Sequence, residues 1–449
     1  MQKFRHIFRD VSREDIIEMP LNKLVIPLVI PALLQSLVVS FNIIMDALFI
    51  ARLVGKNAFS GIVYAGTYTI ITSALVSWLS IGAGAMYSRS ICNNDNKNLK
   101  IILGYVLLSS FIIGIPVGVL FFIFSAKFIS WIGITGDAYQ YGNNYLKVIM
   151  GGVAINILSL SLLTLVRCSG KMKRSFGITL LGVISNIVLV PIFIKLMPEP
   201  VIGAALGTLI SYTIIIFFCT YELRFVKASW PLRSANFILL KDMILIGLSA
   251  CLMQISGFIK QFVLYRMVLY FGNEKDELFF AAVQRLFAFA AMPLFGFLQA
   301  LQPVVGINYG NNNFNRTIQS VTVFKKYAIL TLLLIASVCI IFYNPLIHLL
   351  LPGYFINLKQ FFQYLFLFTA MIIAPFGSCV VVYWQAVGNK TYPVMMILIK
   401  DILLFICITV FFTFWLGITG IYIGLLIENI VYGVLVTLLF NYGLKKVNA

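Results

Sequence analysis

Acidic side chains are scarce in this chain. Its 449 residues hold 15 Asp and Glu against 33 Lys and Arg, and charged residues of both signs make up only 11%. Soluble domains carry about 25% charged residues, so the deficit excludes an ordinary soluble protein. Histidine is nearly absent: His6 and His348 stand in no metal-binding spacing, which leaves no histidine-based catalytic or metal centre. The seven cysteines (Cys92, Cys168, Cys219, Cys251, Cys339, Cys379 and Cys407) are scattered singly. Without CxxC or paired spacing they read as small buried hydrophobes rather than disulfides or metal ligands. No GxxxxGK[ST] loop is present to cradle ATP phosphates, so any pumping must draw on an ion gradient. The basic N-terminus (Lys3, Arg5, Arg9, Arg13) runs straight into a full-length apolar segment without a small-residue cleavage site, and no secretory leader is expected.

Apolar length is what the chain has in abundance. Hydrophobic residues make up 61%, with a mean hydropathy of +0.99. Stretches long enough to cross a bilayer as helix, about 20 residues, recur twelve times. They are expected at 24–50, 58–80, 99–124, 146–166, 176–197, 202–222, 242–271, 278–302, 326–351, 361–386, 393–414 and 418–444. The short alternating segments of a β-barrel do not appear. An all-α polytopic membrane protein with 12 transmembrane helices follows.

The formal charge of +18 invites a nucleic-acid reading, but the placement of the bases argues for topology instead. Twenty-two Lys and Arg fall in the N-terminal segment, the C-terminal segment and the loops after even-numbered spans; six fall in the opposite loops. The asymmetry places both termini in the cytoplasm of a multi-pass cytoplasmic-membrane protein, with no nucleic-acid partner. The sequons at Asn315 and Asn389 then face the cytoplasm and are chance matches.

The chain also repeats itself. Gln35 in ALLQSL matches Gln254 in CLMQIS at an offset of 219, and GAGAMYSRSICNND (82–95) lies against VVGINYGNNN (304–313) at 218. RCSGK (167–171) matches QAVGN (385–389) at 218, and GAALGTLIS (203–211) matches GIYIGLLIE (420–428) at 217. Six spans per half give both halves the same orientation. The expected architecture is two six-helix bundles, 1–222 and 242–449, joined by a basic linker at 223–241 with Trp230-Pro231 at its middle. They are related by a pseudo-two-fold axis along the membrane normal, with a cavity between them. The GxxxG pairs Gly203/Gly207 and Gly420/Gly424 let helix backbones approach closely, within each bundle or at a dimer face.

These residues together resemble the multidrug and toxic compound extrusion (MATE) family, within the wider multidrug/oligosaccharidyl-lipid/polysaccharide exporter superfamily. The resemblance runs from about Pro27 to Tyr442. It is carried by PALLQSL (31–37), MDALFIARLVG (45–55), the small-residue run 82–85, RCSGK (167–171), NIVLVP (186–191), GAALGT (203–208) and LQPVVGINYGN (301–311) followed by Arg316. It implies a cation-coupled antiporter that exports small organic molecules by alternating access, with no cofactor beyond transported H+ or Na+. A monomer is expected.

Asp46 interrupts the first span near its far end, where an ionisable group is a functional candidate by default. It is either a coupling carboxylate, which the matching first-helix aspartate of the family favours, or the partner of Arg52. Six residues put those two side chains about 240° apart on a helix. Asn186 and Thr208 are expected neighbours of Asp46. The family's second aspartate, four residues after Asn186, is here Val190, which tilts the coupling toward protons. In the second half, Lys260, Arg285, Lys400, Asp401 and Glu428 are cavity candidates. Glu428 either neutralises Lys400 or binds a cation, and Arg266 and Arg285 reach toward the outer surface. Gln35, Gln254, Gln284, Tyr64 and Tyr68 complete the candidates. The second-half bases keep open a rival function, a flippase for an anionic lipid or lipid-linked saccharide.

The topology has a direct readout in a bacterial host. A green fluorescent protein fused after Ala449 is expected to fluoresce and an alkaline phosphatase fused there to be inactive; the reverse pattern contradicts the orientation.

Overall fold

The computed structural model describes residues 11–93, 95–132, 136–226, 236–351 and 353–447, with side chains placed as far as Phe440 except that of Ile132. Lys3, Arg5, His6, Arg9, Asn94, the Trp230-Pro231 of the expected linker and the side chains of Lys445 and Lys446 lie outside them.

Every regular element among these residues is helical. A short helix α1 (Arg13–Glu18) precedes α2 (Leu21–Leu53), α3 (Lys56–Cys92), α4 (Asn96–Ile132), α5 (Gly136–Gly151), α6 (Val153–Cys168), α7 (Met172–Leu196) and α8 (Pro200–Glu222). There follow α9 (Phe237–Phe271), α10 (Glu274–Gly310), α11 (Phe314–Ile341), α12 (Leu358–Val387), α13 (Tyr392–Leu416) and α14 (Ile418–Val447). Eleven helices are long and apolar enough to span a membrane, and the bent pair α5–α6 brings the number to twelve. The expected fold class is the one observed.

Two spans depart from their expected form. The fourth, expected as 146–166, is the pair α5–α6, bent by 51°. Its break falls at Gly151-Gly152, where a Cβ on Gly152 would stand 2.3 Å from Leu209 of α8. The close approach of α8, which no local pattern encodes, sets the bend. The ninth, expected as 326–351, is cut at Phe342 into α11 and a short helix, Tyr343–Leu350. Pro345 explains the cut: a proline ring clashes with the carbonyl four residues earlier, here Ile341, where α11 ends.

The two GxxxG pairs do the same work in matching places. A Cβ on Gly203 would lie 2.2 Å from the Phe193 carbonyl oxygen and one on Gly207 2.9 Å from Val190 Cα, both on α7. A Cβ on Gly420 would lie 2.0 Å from the Phe412 carbonyl oxygen and one on Gly424 2.6 Å from Thr409 Cα, both on α13. Each pair therefore packs the last helix of its half on the one before it, the packing reading of the motif.

Apolar burial follows the halves only in part. One core cluster is built from Leu79 to Met243, while the largest gathers second-half side chains around the start of α2 (Leu21 to Ala32), Cys92 and Met172. The halves meet at the end of the molecule where the described residues begin (α1) and finish (the last turns of α14), the terminus-bearing end. Trp78 Nε1 donates to the Ile244 carbonyl at 2.9 Å, and Gly247 lies so close to the Trp78 carbonyl that a Cβ would stand 1.9 Å from it. Arg89 donates to the Val387 carbonyl at 3.1 Å and lies against Gly388, the left-handed residue that ends α12. Arg167 bonds Gln299 across the halves. Beneath them lies α1, capped by Ser12 and Asp15. Arg13 donates to the Cys92 carbonyl, and Arg316 to the Ile16 carbonyl (3.1 and 2.9 Å) and the Met19 carbonyl. Toward the opposite end, the halves are joined among the described residues by the hydrogen bond from Ser40 Oγ to Met292 Sδ at 3.1 Å. Of the cysteines, Cys92, Cys168, Cys219 and Cys379 are buried as expected, but Cys407 is exposed, on an apolar concavity with Ile402, Leu403 and Ile406.

Valine at Gly207 or Gly424 should force the paired backbones apart and cost about 1–3 kcal/mol, as overpacked cores do. Thermal unfolding monitored by size-exclusion should show lower midpoints for both variants. Gly177→Ala, which meets nothing within 4 Å, should leave the midpoint unchanged or raise it.

Candidate ion-coupling and substrate site

In the first half, three elements set their polar residues at one level. Ile50 on α2, Val190 on α7 and Ala204 on α8 belong to one apolar cluster. Asp46, Asn186 and Thr208 each lie one turn from these residues toward the terminus-bearing end, since α2 and α7 run away from that end and α8 runs back. Residues four apart share a helix face, so the three expected coupling residues form a polar floor beneath the cluster. Asn186, 2% exposed, donates from Nδ2 to Thr208 Oγ1 at 3.3 Å, and Thr208 in turn donates to the Ala204 carbonyl at 3.1 Å. Asp46 is not bonded to either. Its Oδ2 receives Asn42 Nδ2 at 3.5 Å, a long contact, and its Oδ1 is buried without a hydrogen-bond partner. Asp46 and Arg52 make no ion pair, in keeping with their opposed faces.

Unpartnered acceptors mark this half. The Oδ1 atoms of Asn42, Asp46, Asn143, Asn156 and Asn186 are all buried with no donor. Side-chain carbonyl and carboxylate oxygens accept only, so each of these atoms lacks a donor. Tyr145 on α5 and Tyr212 on α8 also lie within the electrostatic reach of Asp46. Val190, where the family resemblance implies an acid, is 1% exposed within the apolar cluster and faces Gly207.

The second half is organised differently. A π-helical stretch, Ile399–Val410, widens α13 and carries Lys400, Asp401, Phe405 and Thr409. Such widened turns gather at functional sites. Lys260 on α9 bonds Glu428 on α14 and stands 4.0 Å from Asp401. Thr409 donates to Glu428 Oε2 at 2.9 Å, and Ser256 donates to Asp401 Oδ2 at 2.8 Å. Glu428 is fully buried, while the side chains of Lys260 and Asp401 are 14% and 13% exposed. Glu428 thus pairs with Lys260, not with Lys400. The Lys400 ammonium lies 5.3 Å from the centre of the Tyr432 ring instead.

The other candidates are dispersed. Gln35 is buried and accepts from Ser175 at 3.3 Å, which ties α2 to α7. Tyr68 donates to the Phe128 carbonyl at 2.6 Å and packs on Phe121 and Phe128, a junction with α4 rather than a free cavity group. Tyr64, Arg266 and Arg285 are exposed, and Gln254 and Gln284 half-buried, and none of the five side chains makes a hydrogen bond or ion pair among the described residues. Sequence reasoning missed Asn42, Tyr145, Tyr212, Ser256 and Thr409. Asn42 was within reach, one turn before Asp46 on the same face. The others come from helices that only packing brings near.

Comparison with known proteins bears on the fold. A MatE family profile matches residues 31–192. The multidrug export protein MepA of Staphylococcus aureus (strain bovine RF122 / ET3-1) is 26% identical over 297 residues, and the match covers 65% of this chain and 66% of that protein. MepA of Staphylococcus haemolyticus (strain JCSC1435) is 26% identical over 318 residues, covering 69% and 68%. The alignment thus spans just under two thirds of the first of these curated relatives. A crystal structure of MATE in the bent conformation superimposes with a TM-score of 0.89 at 22% identity, over 98% of this chain and 99% of that one. A MOP superfamily transporter from Pyrococcus furiosus, described as having a binding pocket of reverse polarity, superimposes with a TM-score of 0.87 at 21% identity over 98% and 100%.

The buried pair in the second half has a stability signature. Glu428→Gln leaves Lys260 with only the more distant Asp401, and breaking a buried ion pair on one side costs on the order of 3 kcal/mol. Lys260→Met combined with Glu428→Gln removes both charges and should recover most of that loss. Thermal unfolding of the single and double variants measures the difference.

Proposed function

The chain belongs to the MATE family, and from that premise we propose that it is a cation-coupled antiporter exporting small organic compounds by alternating access. One observation carries the reading: the Asp46 carboxylate sits inside the first half with no basic partner and a buried, unbonded Oδ1. A carboxylate in hydrocarbon needs a proton or a cation. The protein supplies neither, so the partner comes from solution. Asn42, Asn186 and Thr208 are the nearby oxygen-bearing groups, and the valine at 190 leaves one acid at this level. A single carboxylate is neutralised by one proton, and the second acid that the family resemblance implies beside it is absent. The proposed coupling ion is therefore the proton.

Alternating access is supported by where the halves touch. Their ties gather at the terminus-bearing end: Trp78 to Ile244, Arg89 to Val387, Arg167 to Gln299, and Arg316 to the Ile16 carbonyl of α1. The reading takes this as a state closed toward the cytoplasm, with Asp46 accessible from outside. The two halves, 1–222 and 242–449, are the proposed moving bodies, the protein works as a monomer, and both termini are cytoplasmic. A flippase for an anionic lipid or lipid-linked saccharide would use the second-half bases, but Lys260 is already committed to Glu428 and Asp401.

Vesicles containing the purified protein test the function. A fluorescent cationic drug should move against an imposed pH gradient with the wild type. With folded Asp46→Asn it should move no faster than through protein-free vesicles. Undiminished gradient-driven movement in the variant would sink the coupling role of Asp46, and movement that follows Na+ but not pH would overturn the proton assignment.

A further inference from the structure

Asp401 and Glu428 lie well inside α13 and α14, and one ammonium serves both. Lys260 Nζ bonds Glu428 and stands 4.0 Å from Asp401 Oδ1. The remaining oxygens of the acids receive Thr409 and Ser256. The Phe405 ring centre lies 5.0 Å from the same ammonium, within cation–π range. Lys400 is the second base on this stretch, but its ammonium is placed on Tyr432 and within ion-pair distance of neither acid. Two acids and two bases sum to no net charge. Take Lys260 away and a net negative charge is left where solvent does not compensate it.

The matching place in the first half shows the contrast. Val190 and Thr409 occupy equivalent positions, each facing the second glycine of its half's GxxxG pair. Around the first lies a carboxylate without a base; around the second, carboxylates with a base supplied by the chain.

We propose that Lys260 is a tethered cation. Its ammonium fills the position between Glu428 and Asp401 that a free monovalent cation, or the ammonium group of a transported compound, would otherwise take. Lys260 therefore determines specificity by exclusion: it keeps the second half out of the cation traffic. Only the corollary, that coupling then falls to Asp46 alone, rests on the transport function proposed above.

Equilibrium binding of radiolabelled methylammonium to the full-length purified protein tests this. Lys260→Ala removes the stem and the charge and leaves room for the small cation. The variant should bind methylammonium saturably, to a single equivalent, and at least about tenfold more tightly than wild type. Adding Glu428→Gln should abolish the gain, and adding Asp46→Asn should leave it intact. Should Lys260→Ala accumulate only when methylammonium is supplied during expression and purification, that rescue supports the proposal equally. A folded Lys260→Ala that binds no more than wild type overturns it, as does binding that survives Glu428→Gln or a variant that stays unfolded with methylammonium present. If Asp46→Asn transports normally while Lys260→Ala gains its site, the coupling role of Asp46 falls and the tethered cation stands.

Discussion

A charge inside the hydrocarbon layer must be matched, because water is not there to solvate it. Most of the polar interior of this protein answers to that constraint. Lys260 answers it for Glu428 and Asp401; Thr409 and Ser256 saturate what is left of the two carboxylates. The arginines Arg89, Arg167 and Arg316 answer it with carbonyls and an amide at the terminus-bearing end. Among the described carboxylates inside the spans, Asp46 differs from Glu428 and Asp401. Its nearest bonded neighbour is an amide at 3.5 Å, and half of its carboxylate is buried without a donor. An unmatched group surrounded by matched ones is where an exchangeable cation belongs, and the proposed transport cycle is built on that difference.

Close backbone packing supports the electrostatics. Glycines at the contacts of α8 on α7 and of α14 on α13 hold these helix pairs at distances no side chain would permit. That approach fixes the level at which Thr208 and Asn186 meet in one half and Thr409 and Glu428 in the other. The same device seals the halves against each other at Trp78 and Gly247. At these glycine contacts the repeat in the chain is also a repeat of geometry.

Much of this was legible in the chain itself. The spans were readable because a 20-residue hydropathy window is a local property, and Asp46 stood out because an acid in such a window is costly. The GxxxG pairs signalled a close helix contact by spacing, and of the two uses expected, packing within each half is the one observed. What escaped depended on partners distant in sequence. The bend at Gly151-Gly152 exists because Leu209 approaches it. Glu428 seemed open to Lys400 from composition, yet the packing of α9 on α14 hands it Lys260, 168 positions away. Tyr68 was expected in a cavity and instead spends its hydroxyl on the Phe128 carbonyl. Asn42 was the readable miss, one turn from Asp46 on the same face.

The central claim is that the exchangeable cation of this protein resides on Asp46 and nowhere in the second half. Infrared difference spectroscopy of the reconstituted protein across a pH step reads carboxyl protonation directly. The account predicts one protonating carboxyl band from the membrane interior, absent in Asp46→Asn and unchanged in Glu428→Gln. A band that persists in Asp46→Asn, or disappears in Glu428→Gln, would contradict it.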